Sequence, residues 1–178
     1  MASINLVRGS LINYEVYDDS DGSVRLLGTA SVDLPELEFM TSDIKGAGVL
    51  GEFSLSILGH VNNMSVTLHW RTIHSDLTEL AAPYAHSLTL RGAIQDYSAE
   101  SGNMVVSPVA IKFRGVPTKA TFGKFEPGEQ TDSESEFAVD YLKIEVDGEE
   151  VLEHDKFNYV FRVNGTDYLG DTRDALGR

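Results

Sequence analysis

A mainly β fold, an antiparallel barrel or sandwich with one short flanking α-helix, is the class this sequence predicts, and three observations predict it. Apolar and polar residues alternate in segment after segment, the period of a half-buried strand. Leu142, Ile144 and Val146 alternate with Lys143 and Glu145; Val109, Ile111 and Phe113 alternate with Ala110, Lys112 and Arg114. Turn signals separate such segments about every 8–12 residues, and only one internal stretch carries helix signals. The chain reads as about seven or eight strands with no repeat and no linker, so residues 1–178 are expected to form one domain. That length buries roughly 70% of the unfolded surface.

In chain order, Leu11 to Tyr17 is the first predicted strand, and Asp18 to Gly22 a turn. Leu27 to Leu34 follows, ended by Pro35, which cannot donate to a ladder. Leu37 and Phe39 continue an extended segment toward Lys45. Gly46 to Gly59 is punctuated by glycine, with Phe53, Leu55 and Ile57 suggesting a strand or an extended arm. Met64, Val66, Leu68 and Trp70 mark another strand and place the single tryptophan in the core. Asp76 as N-cap with Glu79 three residues on forms a capping box, and Pro83 stops the resulting short helix. Two long strands, His86 to Tyr97 and Met104 to Val116, come next. Glu126 to Glu136 reads as a loop too polar to have a core face. Asp147-Gly148 is a strong hairpin signal, since a tight turn needs positive φ. A two-residue loop sets Glu145 opposite Glu150, a like-charge pair. A three-residue loop, Asp147 to Glu149, sets Ile144 opposite Leu152 and is preferred. Gly170 to Leu176 ends the chain with one helical turn.

Composition limits function. The 178 residues include no cysteine, excluding disulfides and thiolate metal sites. Fourteen basic against 28 acidic residues give a charge of −14, a poor basis for gripping nucleic acid. Such a chain presents either a plain soluble surface or one that repels a polyanion. No apolar run approaches the ~20 residues of a membrane span, and residues 1–10 lack the apolar core of a signal peptide. The expectation is a soluble product made in the cytoplasm.

The search for chemistry is mostly negative. Gly46-Ala47-Gly48-Val49-Leu50-Gly51 matches G-x-G-x-x-G, but a dinucleotide site needs a helix next, and Glu52 to Gly59 alternates like a strand. Asp19, Asp21 and Gly22 suggest a calcium loop, yet its first and twelfth positions fall on Tyr17 and Gly28. The five histidines have no metal-ligand spacing and are read as surface or half-buried. No G-x-S-x-G elbow and no carboxylate pair in opposed environments is evident. No cofactor, metal or catalytic residue is expected.

Several segments carry a resemblance. Tyr141 to Asp155, Val163 to Leu169 and Arg173 to Gly177 resemble the C-terminal third of the major tail tube proteins of contractile-tailed phages and R-type bacteriocins. Val32 to Glu38 leading to Lys45-Gly-Ala-Gly48 resembles the family's Leu-Pro-x-Leu segment and glycine-rich turn. Ile111 to Gly115 and Glu126 to Glu129 resemble its Arg-Gly strand end and acidic loop. The likeness spans Leu11 to Gly177 and is loose at Asp18 to Gly22 and Ser54 to His74. It implies hexameric rings stacked into the hollow inner tube of a contractile tail, their sheets joined into one inner barrel. It implies as partners other copies of the chain, a contractile sheath, a tape measure protein, a baseplate hub and a tail terminator. DNA would pass without specific binding in a phage, ions in a bacteriocin; this subunit would insert in no membrane and catalyse nothing. The location implied is the tail of a virion or bacteriocin particle.

Six copies would carry roughly −84 per ring, so charge facing the lumen would make DNA slide, and the same charge would oppose assembly. Gly46, Ala47, Gly48, Val49, Leu50 and Gly51, with Phe53 and Leu55, are the candidate contacts between subunits or stacked rings; the alternative is an internal loop packed on its own barrel. The competing class is a monomeric β-barrel module binding a small ligand or glycan, which would need an apolar pocket with convergent polar groups.

Overall fold

The computed structural model describes residues 6–20, 22, 24–28 and 31–178. Among these described residues twelve strands and two short helices follow one another: β1 (Leu6–Asp18), β2 (Arg25–Leu27), β3 (Ser31–Asp33), β4 (Phe39–Lys45), β5 (Glu52–Val61), β6 (Met64–Trp70), α1 (Ser75–Glu79), β7 (His86–Ser98), β8 (Asn103–Thr121), β9 (Ser133–Val146), β10 (Glu149–Asp155), β11 (Val160–Val163), β12 (Thr166–Asp167) and α2 (Gly170–Ala175). The main sheet runs β12-β11-β10-β9-β8-β7-β1-β2, and β4 and β5 form a separate two-stranded sheet. Every pairing is antiparallel. Among the described residues the main sheet stays open, because β12 and β2 at its ends do not pair with each other.

The sheet forks at β9. Tyr141 to Val146 pair with β10, whereas Ser133 to Val139 pair with β6, which in turn carries β3. On its other edge β9 pairs with β8, with register shifts at Arg114/Gly115 and Pro117/Lys119. Bulges of this kind bend a strand and sharpen its twist. Gly115 sits at the first shift because nothing larger fits: a Cβ there would lie 2.7 Å from the Ala138 carbonyl oxygen. The fork brings the apolar stripe of β6 against the inner face of β7, β8 and β9. Met64, Val66, Leu68 and Trp70 are buried together with Leu88, Phe113, Phe137 and Leu142. Trp70 keeps its polar edge satisfied by donating from Nε1 to Ser135 Oγ at 3.1 Å.

Several sequence expectations need correction. Leu27 to Leu34 is not one strand: its ends belong to β2 on β1 and β3 on β6, with Thr29 and Ala30 outside the described residues. The loop from Glu126 ends at Asp132, since Ser133 to Glu136 open β9. Ser133 and Ser135 are buried there because hydroxyl partners replace water: Phe122 O and Thr131 Oγ1 for the first, the Trp70 indole for the second. The capping box does not form; α1 begins at Ser75 after an extended His74, with no side-chain cap. Arg25 engages both carboxylates instead, reaching Glu79 at 2.6 Å and Asp76 at 3.6 Å, which ties β2 to the helix. The turn after β9 has two residues, Asp147 and Gly148, with φ of 54° and 80°. Glu150 therefore does face Glu145, and Lys143 lies between them, 2.8 Å from Glu145 and 3.4 Å from Glu150. A bulge at Val151 then restores the expected pairing of Ile144 with Leu152 and Lys143 with Glu153. His86 and His154 are fully buried rather than half-exposed.

Candidate subunit interface

Cross-strand partners share a face of a ladder, so the register of the β4–β5 hairpin shows its two sides. Ile44 opposite Phe53 and Ser42 opposite Leu55 lie on one side, continued by Met40 and Ile57. Asp43 opposite Ser54, Thr41 opposite Ser56 and Lys45 opposite Glu52 lie on the other. The hairpin is amphipathic, yet neither side is covered: Phe53 is 57% exposed, and Met40, Ile44, Leu55 and Ile57 are exposed as well. An isolated two-stranded hairpin is marginal in water, which makes this one a candidate contact surface.

Among the described residues, the hairpin joins the rest of the chain at its base. Asn62 donates from its backbone to Glu38 O at 2.8 Å and from Nδ2 to Glu38 Oε2 at 2.9 Å. Phe39 stands edge-on to Phe161 of β11, 5.7 Å between ring centroids. Gly59 has φ of 72°, and a Cβ there would collide with the Leu169 side chain at 2.6 Å, so glycine lets β5 lie against the start of α2. The tip is the G-x-G-x-x-G segment. Gly46, Gly48 and Gly51 have φ of 128°, 97° and 118°, and a Cβ on any of them meets no atom within 4 Å. Gly46, Ala47, Gly48, Val49, Leu50 and Gly51 thus form an exposed turn that carries Phe53 and Leu55 beyond the core.

The main sheet has a second uncovered face. Opposite the core, Asp19, Arg91, Lys112, Arg114, Tyr141 and Lys143 line an open polar groove of about 830 Å³. Most of its cations hold carboxylates, and Arg91 lies over the Tyr17 ring. Lys112 Nζ lies 2.7 Å from Asp19, and Arg114 lies 3.1 Å from Asp140 and 3.8 Å from Asp155. Burial pushes the Asp19 carboxyl up, but the Lys112 ammonium and the Ser87 hydrogen bond outweigh it and hold it below its ordinary value. Burial and the hydrogen bond to Glu153 push the Tyr141 phenol up to about 12, so it stays neutral. Among the described residues no group of three or more His, Asp or Glu side chains could hold a metal.

His154 underlies the hairpin's attachment, its ring edge-on to Phe161 at 5.7 Å. Nδ1 donates to Val160 O at 3.2 Å, and buried Nε2 has no partner. Burial, with Lys156 nearby, holds its pKa below 6.5. The neutral imidazole therefore contributes stability in full above about pH 6.5, lost as pH falls toward the folded value. We expect the urea midpoint to decline from pH 6.5 to 5 and that slope to flatten in His154→Asn. An unchanged slope in the variant would assign it to other groups.

An extended, open antiparallel sheet with an uncovered amphipathic hairpin is the geometry of a part rather than of a finished object. The family model for phage tail tube protein FII matches residues 8–177. The chain belongs to the phage tail tube family. It is a structural tube subunit, mainly β as the residues predicted. The tail tube protein of Escherichia phage P2 is 27% identical over 151 residues, covering 83% of this chain and 86% of that protein. Among solved structures, the sheath/tube terminator of an extracellular contractile injection system, in its extended state, aligns with a TM-score of 0.53 at 13% identity, covering 75% of the tube subunit and 94% of the other chain. The sheath-tube complex of that system aligns with a TM-score of 0.53 at 14% identity, over 75% and 88%. A chain of the anti-feeding prophage baseplate aligns with a TM-score of 0.52 at 12% identity, over 82% and 97%. At these identities the likeness concerns the fold.

Proposed function

We propose that this tube subunit, acting as one domain over residues 1–178, forms hexameric rings that stack into the hollow inner tube of a contractile tail. The uncovered apolar side of the β4–β5 hairpin carries this reading, since a freely soluble monomer would have no use for it. Gly46 to Gly51, with Phe53 and Leu55, make contacts between copies. The open sheet ends of neighbours join, which removes exposed edges. A sheath packs outside, a tape measure protein occupies the bore during assembly, and a baseplate hub and a terminator meet the two ends. The location is the tail of a phage or bacteriocin particle, and the subunit performs no catalysis.

The apolar side of the main sheet is occupied by the core, so its polar side is the one to face the bore. There the acidic expectation changes. The groove carries Arg91, Lys112, Arg114 and Lys143 against Asp19, Glu145 and Asp155, four cations to three carboxylates, so its lining is close to neutral rather than acidic despite a chain charge of −14. Lys112, Arg114 and Lys143 already hold carboxylates and Arg91 lies over the Tyr17 ring, which leaves a passing polyanion little to grip without needing net repulsion. Electron microscopy of the purified chain tests the assembly: rings or hollow tubes are expected, whereas monodisperse globules at high concentration would favour a monomeric binding module. The −14 per copy still opposes association. Tube yield should rise with salt as screening shortens toward ~8–10 Å; a steady fall would remove repulsion as the limiting term.

A further inference from the structure

The turn from β10 to β11 carries a lysine whose charge goes unanswered. Arg114 draws both neighbouring carboxylates toward itself, lying 3.1 Å from Asp140 and 3.8 Å from Asp155. Asp155 is committed further: it accepts from the Phe157 and Asn158 amides and from Asn158 Nδ2, at 2.9, 2.9 and 2.7 Å. Among the described residues no carboxylate lies within 4.0 Å of Lys156 Nζ, which donates to the Asn62 backbone carbonyl at 3.0 Å. An ammonium has three N–H groups, so two remain for water or a ligand. Lys156 is half-buried, and with Leu58, Val61, Tyr159, Leu169 and Thr172 it lines a cavity of about 250 Å³. Asp155 lines the same cavity, but its oxygens are spoken for. The Arg178 guanidinium lies over the Tyr159 ring, 4.8 Å from its centroid, and adds positive charge at the rim.

We infer that this cavity binds a small organic carboxylate, its oxygens on Lys156 Nζ and a short apolar tail between Leu58, Val61 and Leu169. Ligand sites of this kind join apolar walls to a few fixed polar groups, and both are present. The ammonium is held in place, since the Lys156 amide donates to Asp140 O at 3.1 Å and Nζ to Asn62 O. Its charge lacks compensation: burial pushes the Lys156 pKa down, opposed by the field of Asp140. A bound carboxylate supplies the missing opposite charge and moves that pKa back up. A doubly charged phosphate would meet one ammonium and aliphatic walls, a poorer match. The cavity is walled by β5, the β10–β11 turn and α2, so an occupant ties the root of the hairpin to the C-terminal helix. The site lies within one copy, and the inference does not rest on ring assembly.

The test reads the lysine itself. The full chain is treated with a trace of an acetyl succinimidyl ester, and acetylation of each lysine is followed by peptide mass spectrometry. For a dissociation constant of about 1 mM, about 10 mM butyrate should slow acetylation of Lys156 about tenfold. Exposed Lys45 is the internal reference and should react unchanged. Butyramide, of the same size without the charge, and sodium chloride at equal ionic strength should protect nothing. Acetyl-glycyl-leucine probes the other source of the same group, a peptide C-terminus; protection by either acid supports the inference, and the stronger of the two marks the source. Protection by neither acid, or equal protection by butyramide or chloride, would overturn it. Lys156→Met keeps the apolar stem and removes the charge: butyrate should raise the thermal midpoint of the parent and not that of the variant. An equal rise in both would place the acid elsewhere and overturn the inference too. If the variant does not fold, the labelling of the parent chain decides alone.

Discussion

Phe137→Ala should lower stability by about 3–5 kcal/mol, the range for removing a fully buried aromatic ring. Phe137 is fully buried where β9 forks, 6.3 Å from the Phe113 ring and 6.0 Å from His86 between centroids. The void could not collapse easily, because Gly115 already brings the β8 backbone against Ala138. With a urea m-value of about 1–3 kcal/mol per molar, the midpoint should fall by roughly 2 M. Total stability of a domain is about 5–15 kcal/mol, so the variant should remain folded in dilute buffer yet fail to persist on warming. Val116→Ala, at an exposed position of the neighbouring strand β8, should stay within about 0.5 kcal/mol. Equal losses at both positions would mean that the fork is not where the core is anchored.

Most of the sheet was legible because period-two alternation reports burial on one face. Met64 to Trp70 matches β6 residue for residue, and His86 to Tyr97 falls short of β7 by one residue. What escaped was structure whose signal is not apolar. Ser133 and Ser135 continue the inward stripe of Phe137 and Val139, but hydroxyls satisfied inside the protein look like loop residues in a sequence. The capping box failed for a related reason: Asp76 and Glu79 have the right spacing, yet a distant arginine at position 25 engages them. The hairpin turn shows both limits at once. Rejecting the Glu145–Glu150 pair on charge overlooked Lys143, which neutralises it, while the apolar register of Ile144 with Leu152 held because a bulge absorbs the extra residue.

The candidate contact segment was legible in a different way. Gly46 to Gly51 was distinguished by what it could not be, since a strand rather than a helix follows it. Phe53, Leu55 and Ile57 alternate as a core strand would, and nothing in the residues says that this stripe lies outside the chain's own core. Only the register with Ser42 and Ile44 separates the apolar side from the polar one.

That separation carries the second large effect. Phe53→Asp together with Leu55→Asp should abolish tube formation while leaving the folded monomer nearly intact. Both side chains are exposed in the monomer, and outward changes in a hairpin that the core does not use cost little. In the assembled state the same positions would be taken from water. Fully burying a large apolar side chain is worth about 1.5–3 kcal/mol, and an aspartate in its place would be desolvated without a partner. Two such losses per contact, repeated around a ring, far exceed what association can absorb. The expected readings are a melting temperature within a few degrees of the parent and no rings by electron microscopy at any salt concentration. Changes on the polar side of the same hairpin, Thr41→Asp with Ser56→Asp, separate a specific surface from a general charge effect: they add the same two negative charges, so rings that recover with salt are expected. Unaffected tubes in the Phe53/Leu55 variant would show that the apolar side of the hairpin is not where copies meet.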